Sequence, residues 1–252
     1  MARIELKNCD IKLKDGLSGT GAINEPTTAP VATDTEFDID TVVLNAGGLG
    51  TDVIPIGARF TVDGETDSDQ VHIVTERTPS DGSATTTNIV FTPALGAGTY
   101  VNDGVVTFAP IELEIKIGDG NLTYTESSEY EYDLDRGVLD TVRAGDQVPM
   151  DVNLDFVYEY ISTGTGEEIS PMDALKQIGG ASEWRSSSSD PCEPYSVDVE
   201  VVHTPICTTQ EIETTLFPDF RSESREPDFG GASVAVSGRC NAVQPIINRT
   251  AQ

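Results

Sequence analysis

Apart from carboxylates, the residue types that most often do chemistry are few in this chain. The 252 residues include 2 histidines and 4 cysteines against 43 Asp plus Glu. An active site needs a convergent set of nucleophile, base or metal ligands. His72 lies between Val71 and Ile73, which predicts a side chain on the surface of a strand. The sequence does not indicate an enzyme, and we expect no catalytic residues and no cofactor. By inventory alone, a hydrolase with paired carboxylates stays open.

One short run offers hard oxygen ligands of the kind that calcium prefers. Asp63, Glu65, Asp67 and Asp69 alternate within the sequence DGETDSD, and carboxylate oxygens suit Ca²⁺. The run lacks the glycine and the final bidentate glutamate of a helix-loop-helix calcium loop. A solvated acidic turn is the interpretation that we favour, and no metal site is predicted.

The cysteines and serines give equally little evidence of a reaction. Cys9, Cys192, Cys207 and Cys240 form no C-x-x-C pair, which argues against a zinc or redox motif. We expect reduced thiols with a packing role, since a free cysteine on a strand behaves as a small apolar residue. The serine run 186–189 has neither nucleophile-elbow nor Walker spacing, so we predict a flexible loop.

The charge balance excludes several classes of partner. The formal net charge is −28, with only 15 Lys plus Arg. Nucleic-acid binding requires basic patches that displace counterions from phosphates, and anionic membranes also attract basic segments. No apolar run approaches the roughly 20 residues of a membrane span, and the first residues alternate like a strand, unlike a signal peptide. We expect a protein that acts where it is made or leaves the cell within an assembly.

The acidic residues are most ordered between Leu122 and Ile161. Here Tyr130, Tyr132 and Leu134 alternate with acids, and a second alternating run follows polar residues 135–147. Strict alternation predicts strands with one buried and one wet face. Paired as a hairpin, the two runs place like charges opposite each other, which destabilises a sheet. The acids and the asparagine on the wet faces are Glu129, Glu131, Asp133, Asp151, Asn153, Asp155 and Glu159.

The polar segment between these two runs is predicted to be a loop. It contains Arg136 and Arg143, two of the few cations of the chain, together with Asp140 and Asp146. From the residues alone, an ordinary solvated hairpin connection is one interpretation of this segment.

The rest of the chain predicts an all-β fold with one short helix. Residues 16–21 look like a small-residue linker, and residues 25–110 contain no lysine and many turn signals. Ser170 and Pro171 are typical of a helix start, and Gly179-Gly180 of its end. Later residues predict a strand ending at Phe217, a charged loop over 221–231 and a loose tail over 241–252. The strands predicted within 25–110 are Glu36–Leu44, Arg59–Val62, Gln70–Thr78, Thr86–Thr92 and Val105–Ala109.

Taken together, the sequence resembles the major tail tube proteins of long-tailed phages. The resemblance lies in IELKNCDIKLKDGLSGT near the start and in IKIGDGNLTYTES, EYEYDLDRGVLDTVRAGDQVPMDVNLDFVYEYI, SPMDALK, SSSSDPCEPYSVDVEV, ETTLFPDF and SVAVSGRCN later on. GARFTV, FTPAL and VTFAP resemble a small β module that recurs in phage tail proteins. We therefore expect a discontinuous tube core of residues 1–24 and 111–252, a β-sandwich or barrel-like fold. Residues 25–110 form an inserted small barrel or sandwich on the tube exterior.

The resemblance also implies a structural function in the virion. Such subunits form rings, generally hexameric, which stack into a hollow tube around the tape measure protein. Tail terminator and tail-tip proteins complete the tail, and DNA passes through without specific binding. Assembly takes place in the host bacterial cytoplasm. The acidic faces are then expected to line the lumen, with outward solvent exposure as the alternative. In a stack of acidic rings, the cations of the loop 135–147 are natural partners for acids of a neighbour, so we expect this loop to make contacts between rings or between subunits, with the solvated hairpin connection as the alternative. A decoration or tail-tip protein, or a glycan-binding module using Trp184, stays open.

Overall fold

The structure is a computed structural model that describes residues 8–25, 29–44, 54–67, 70–79, 87–118, 120–136, 138–162, 168–190, 192–205 and 211–251. Strands dominate these residues, which confirms the predicted all-β class with one short helix, α1 (Pro171–Lys176). The strands are β1 (Cys9–Lys14), β2 (Gly19–Ile23), β3 (Glu36–Leu44), β4 (Arg59–Val62), β5 (His72–Pro79), β6 (Thr87–Thr92), β7 (Val105–Ala109), β8 (Glu112–Ile115), β9 (Leu122–Thr125), β10 (Ser128–Asp135), β11 (Val138–Gln147), β12 (Met150–Val157), β13 (Ile161–Ser162), β14 (Glu168–Ile169), β15 (Val197–His203), β16 (Ile212–Asp228), β17 (Ser233–Cys240) and β18 (Ile246–Thr250).

The chain divides into two compact units whose bounds differ from the domains expected from sequence. One unit contains residues 1–13, 114–159 and 196–252, and the other contains residues 14–113 and 160–195. The helix and the serine-rich loop therefore belong to the same unit as residues 25–110. The sequence had grouped them with the tube core, because nothing local signals which unit a connecting segment joins.

The first unit contains one large sheet. Its strand order is β8-β1-β15-β16-β17-β12-β9, and β18 pairs with β16. Strand β12 shows why the sheet has a core on one side: Met150, Val152, Leu154 and Phe156 are buried, while the residues between them face outward. Burying each such side chain contributes roughly 1.5 to 3 kcal/mol. The alternation predicted as far as Tyr160 ends with the strand at Val157, and Tyr160 is exposed.

Strand β16 is longer than the sequence predicts. It continues past Pro218 to Asp228, where a charged loop was expected, and the tail contains β18 instead of loose chain. At Asp219 the backbone takes a φ of 50° and its N–H donates to Asp198 Oδ1 at 2.9 Å. This irregularity lets one strand pair first with β15 and then with β17. The prolyl residue ends the sequence pattern but not the strand.

The second unit contains a closed barrel with the strand order β2-β3-β6-β5-β4-β7. Its last five strands along the chain are those predicted from sequence, and β2 is a sixth where a linker was expected. Gly19 explains the small residues of β2: its φ is 142°, and a Cβ would lie 2.1 Å from the Val43 carbonyl oxygen. The barrel interior is aromatic, with ring centroids of Phe37 and Phe91 5.0 Å apart.

His72 lies inside this barrel and not on a strand surface as predicted. Its ring is fully buried and stacks on Phe60 with centroids 5.3 Å apart. His72 Nδ1 lies 2.7 Å from the Pro93 carbonyl oxygen, and Nε2 lies 3.0 Å from Glu65 Oε2. Glu65 Oε1 accepts the Gly96 N–H at 2.6 Å. The acidic run at residues 63–69 therefore sends one carboxylate inward as a packing partner of the histidine.

Asp15 ties together three segments of the second unit. The side chain is 1% exposed, and its carboxylate accepts the backbone N–H groups of Leu17 at 3.2 Å, Ile111 at 2.7 Å and Arg185 at 3.1 Å. Leu17 precedes the barrel, Ile111 follows it, and Arg185 lies in the serine-rich loop. Burial raises the pKa of Asp15 to about 6, against the lowering effect of these N–H donors.

The helix begins as predicted and ends earlier. Ser170 caps it and forms a capping box with Asp173, and Pro171 occupies the first turn. Gln177 takes the left-handed conformation with a φ of 55°, which ends the helix before Ile178. Ile178 follows the helix and is exposed.

The Asp15 carboxyl gives the stability of this unit a pH dependence of defined sign. The folded pKa of about 6 lies above the ordinary value of 3.8. The stability due to protonation is therefore complete below the ordinary pKa and is lost as pH rises through 6. Asp15→Asn removes this titration. We expect the stability advantage of the wild type over Asp15→Asn to fall by about 1.4 kcal/mol between about pH 5 and about pH 8.

Urea unfolding of both proteins at several pH values measures this difference. Asp15→Ala serves as the control, since it also lacks the titrating carboxyl group. Its free energy of unfolding should follow the same pH trend as that of Asp15→Asn, at a lower overall value. An advantage that stays constant or grows with rising pH contradicts the prediction.

Candidate assembly hairpin

The acidic strands do not pair with each other in the way that the sequence predicts. Strand β10 pairs in antiparallel register with β11, so that Glu131 lies opposite Arg143 and Tyr132 opposite Val142. Strand β12 pairs instead with β9 and β17. The prediction of a loop over residues 135–147 is wrong, because residues 138–147 form strand β11, which takes the place expected for β12.

Strands β9 to β12 nevertheless form one long antiparallel arm. At its base, Asp151 of β12 lies opposite Thr125 of β9 within the large sheet. Beyond residues 126–127 and 148–149, the same two chain directions continue as β10 and β11, which form a separate two-stranded sheet. We call β10 and β11 the assembly hairpin. Within the described residues, neither of its strands has a partner on its outer edge.

One face of the assembly hairpin is apolar and exposed. Its side chains are 50% to 65% exposed, although comparable side chains elsewhere in the sheet are buried. Exposed apolar side chains of this size that lie side by side typically mark an interaction site. They are Tyr130, Tyr132 and Leu134 of β10 with Leu139 and Val142 of β11.

The opposite face is charged. Strand β10 presents Glu129, Glu131 and Asp133, and β11 presents Thr141 and Arg143. Arg143 Nε lies 3.3 Å from Asp133 Oδ2, and the Thr141 hydroxyl donates to the same oxygen at 3.2 Å. Both partners of the ion pair are more than half exposed, so the pair adds little stability to the hairpin. The arginine lies next to acids without neutralising the row.

The other residues of the predicted contact loop have different positions. Arg136 lies in the turn between the strands, with a φ of 52°, and is exposed. Asp146 is exposed near the end of β11, and Asp140 lies on β11 within an irregular part of the register. Of the two arginines, only Arg143 thus shares a sheet face with the acidic row.

The remaining predicted lumen residues lie away from the assembly hairpin. Asp151, Asn153 and Asp155 lie on the outer face of β12 in the large sheet. Arg239 of β17 pairs with Asp151 at 3.0 Å. Glu159 follows β12 and pairs with Lys116 at 3.0 Å. The structure therefore divides the predicted acidic surface into a hairpin group and a sheet group.

The apolar face of the hairpin is the functional feature that sequence reasoning missed. The tyrosines and Leu134 were expected to be buried against the subunit's own core, as alternation normally implies. The signal for β11 was present in Val138, Thr141 and Val142, whose β-branched side chains favour strands. It was masked by the charged residues and glycine between them.

Within the described residues, the cysteines, the tryptophan and the metal-binding residue types give no sign of a reaction or ligand site. Among the described cysteines, Cys9, Cys192 and Cys240 form no disulfide bond, and burial raises the pKa of the Cys240 thiol to about 12. Cys207 and Asp69 lie outside the described residues. Trp184 is 2% exposed, so it does not offer a stacking face for a sugar. No group of three or more His, Cys, Asp or Glu in the described ranges could hold a metal ion.

No helix in the described part of the chain is long and apolar enough to cross a membrane. Comparison with protein-family models, with curated proteins and with solved structures finds no match. The function therefore has to be argued from the geometry of this chain.

The free edges of the assembly hairpin make it the least protected part of the first unit. A two-stranded hairpin is marginally stable by itself, whereas β12 is bonded on both sides. We expect the β10 and β11 amides of the dispersed subunit to exchange at least about 100-fold faster than those of β12. Hydrogen exchange followed by mass spectrometry measures both regions in one sample. Equal protection of the two regions in the dispersed subunit would show that the hairpin is already covered.

Proposed function

We propose that this protein is a structural, non-enzymatic component of a phage virion, a subunit of the tail tube of a long-tailed phage. Copies form stacked rings, hexameric by the resemblance of the sequence, around a hollow channel. The channel houses the tape measure protein during assembly and later conducts DNA. The observation that carries the proposal is the assembly hairpin, with two free edges, an exposed apolar face and an exposed charged face.

The free edges favour a second copy of the same chain as the partner. An exposed edge strand presents unpaired N–H and C=O groups that pair readily with another strand. If β11 of one copy pairs with β10 of the next, every strand in the series is antiparallel, as within the hairpin itself. Such a contact joins different surfaces of two copies, so it propagates and closes into a ring when the rotation permits. A closed ring leaves no edge unpaired.

The two faces of the hairpin support one orientation of this ring. The apolar face requires protein contact to leave water, so it turns toward the bodies of the assembled subunits. The charged face then lines the channel. Glu129, Glu131 and Asp133 from every copy repel the phosphates of DNA, which lets DNA pass without adhering. Screening over about 8 Å at physiological salt limits the repulsion between the acids themselves.

The remaining parts of the proposal rest on the resemblance of the sequence. The tape measure protein, tail terminator and tail-tip proteins are the expected partners, and the virion is the expected location after assembly in the bacterial cytoplasm. The barrel formed by β2 to β7 is proposed to decorate the tube exterior. A decoration or tail-tip protein is the second candidate, since it uses similar β modules without forming long tubes.

Replacing the assembly hairpin tests the proposal directly. In the variant, residues 128–147 are exchanged for a short Gly-Ser linker that closes β9 onto β12. We expect the wild type to form rings or hollow tubes in negative-stain electron microscopy, and the variant to stay dispersed because it lacks both strand edges.

The control is the fold of the shortened protein. Its sheet should keep the far-ultraviolet circular dichroism of a β protein and a cooperative melting transition, since β9 and β12 still pair. A folded variant that assembles like the wild type would contradict the role of the hairpin. A wild type that stays monomeric at all concentrations tested would contradict the proposal of a tail tube subunit.

A further inference from the structure

We propose that Arg143 links neighbouring hairpins within one ring, by bridging the acidic row of its own β10 and the acidic row of the next copy. The inference rests on the proposed function and deepens it, because it assigns a register-setting residue to the contact between copies. It also narrows the expected contact of this arginine, between rings or between subunits, to one between subunits of the same ring, and it places that contact on a strand instead of a loop.

Within a single hairpin, Arg143 already lies beside the acids of β10. The register places it opposite Glu131, and its Nε lies 3.3 Å from Asp133 Oδ2. Its side chain is 71% exposed, so most of the guanidinium stays open to further partners. A guanidinium has five N–H donors in a planar fork, and a single contact with one carboxylate leaves donors for another acid.

In the proposed ring, β10 and β11 strands alternate. Strand β10 carries three acids on the charged face, and β11 carries Arg143 and Thr141 there. When β11 pairs with β10 of the next copy, each β11 lies between two acidic strands. Side chains directly opposite on neighbouring strands have Cβ atoms about 4.5 to 5.5 Å apart. Arg143 therefore reaches an acid on either side.

Arg143 also sets the register in which neighbouring hairpins pair. Pairing of two strands by backbone hydrogen bonds alone allows slipped registers, and a slip by one residue exchanges the two faces. A slip in this ring would place Arg143 and the acids of its own hairpin beside the apolar face of the neighbouring hairpin, away from the acids of that neighbour. Because charge is costly among apolar side chains, Arg143 favours the register that keeps all acids on the channel side. Charge complementarity of this kind sets partner geometry more than raw affinity.

Arg136 provides a matched control for the role of Arg143. It carries the same charge and is also exposed, but it lies in the turn, beyond the paired region of the strands. The variants Arg143→Gln and Arg136→Gln therefore change the net charge equally. Only the first removes a cation from between two acidic strands.

The experiment measures the critical concentration for ring formation of the full chain, by sedimentation and electron microscopy. We expect Arg143→Gln to raise this concentration at least about tenfold, and Arg136→Gln to stay within about twofold of the wild type. The melting temperature of the dispersed Arg143→Gln protein should match the wild type, because the exposed ion pair contributes little to the subunit. The exchange Arg143→Glu with Glu131→Arg should reverse much of this loss, because it keeps opposite charges at two positions that lie opposite each other in the register.

Different outcomes separate this inference from the proposed function. If the wild type forms rings and Arg143→Gln forms them at the same concentration, the bridging role is wrong and the tail tube proposal stands. If both Gln variants weaken assembly equally, the effect is one of net charge and the bridging role is again wrong. If the wild type forms no rings, the proposed function itself fails.

Discussion

Within the described residues, the outer edges of β10 and β11 are unpaired, and the proposed assembly depends on this constraint. Two strands satisfy only half of their backbone groups with each other, and water has to satisfy the rest. Soluble proteins usually protect such edges with charges, bulges or a covering element. Here the charged face provides part of that protection. In the proposed ring, the acids of β10 would repel a misaligned strand, whereas a strand that brings an arginine alongside them would be favoured.

Five of the six strands of the barrel in the second unit could be predicted from sequence to within two residues at each end. Its strands alternate, are short, and lie between Gly, Asn and Asp turns, so local signals suffice. The signals failed where tertiary contacts decide. Strand β2 consists of small residues that fit against β3 only because Gly19 has no side chain. Strand β16 passes Pro218, because Asp219 takes a left-handed conformation that local propensity does not require.

The candidate site was predicted in part. The acidic wet face of β10 and its place in a long antiparallel arm follow from alternation between Tyr130 and Asp133. The partner strand does not, because pairing and register are set by residues distant in sequence. Segment 138–147 has too many polar residues to look like a strand until its partner is known. The burial of His72 was not predicted either, since it depends on the carboxylate of Glu65, which lies 3.0 Å from His72 Nε2.

The distribution of acids between the two sheets bears on the meaning of the net charge of −28. Asp151 on the large sheet is matched by Arg239, as expected of a surface whose only role is to stay hydrated. The assembly hairpin is different, because it has six acids against two arginines between residues 128 and 147. Its other face is apolar and equally exposed. Solvent on both sides does not suit such a ribbon, whereas a channel on one side and packed protein on the other suits both faces at once.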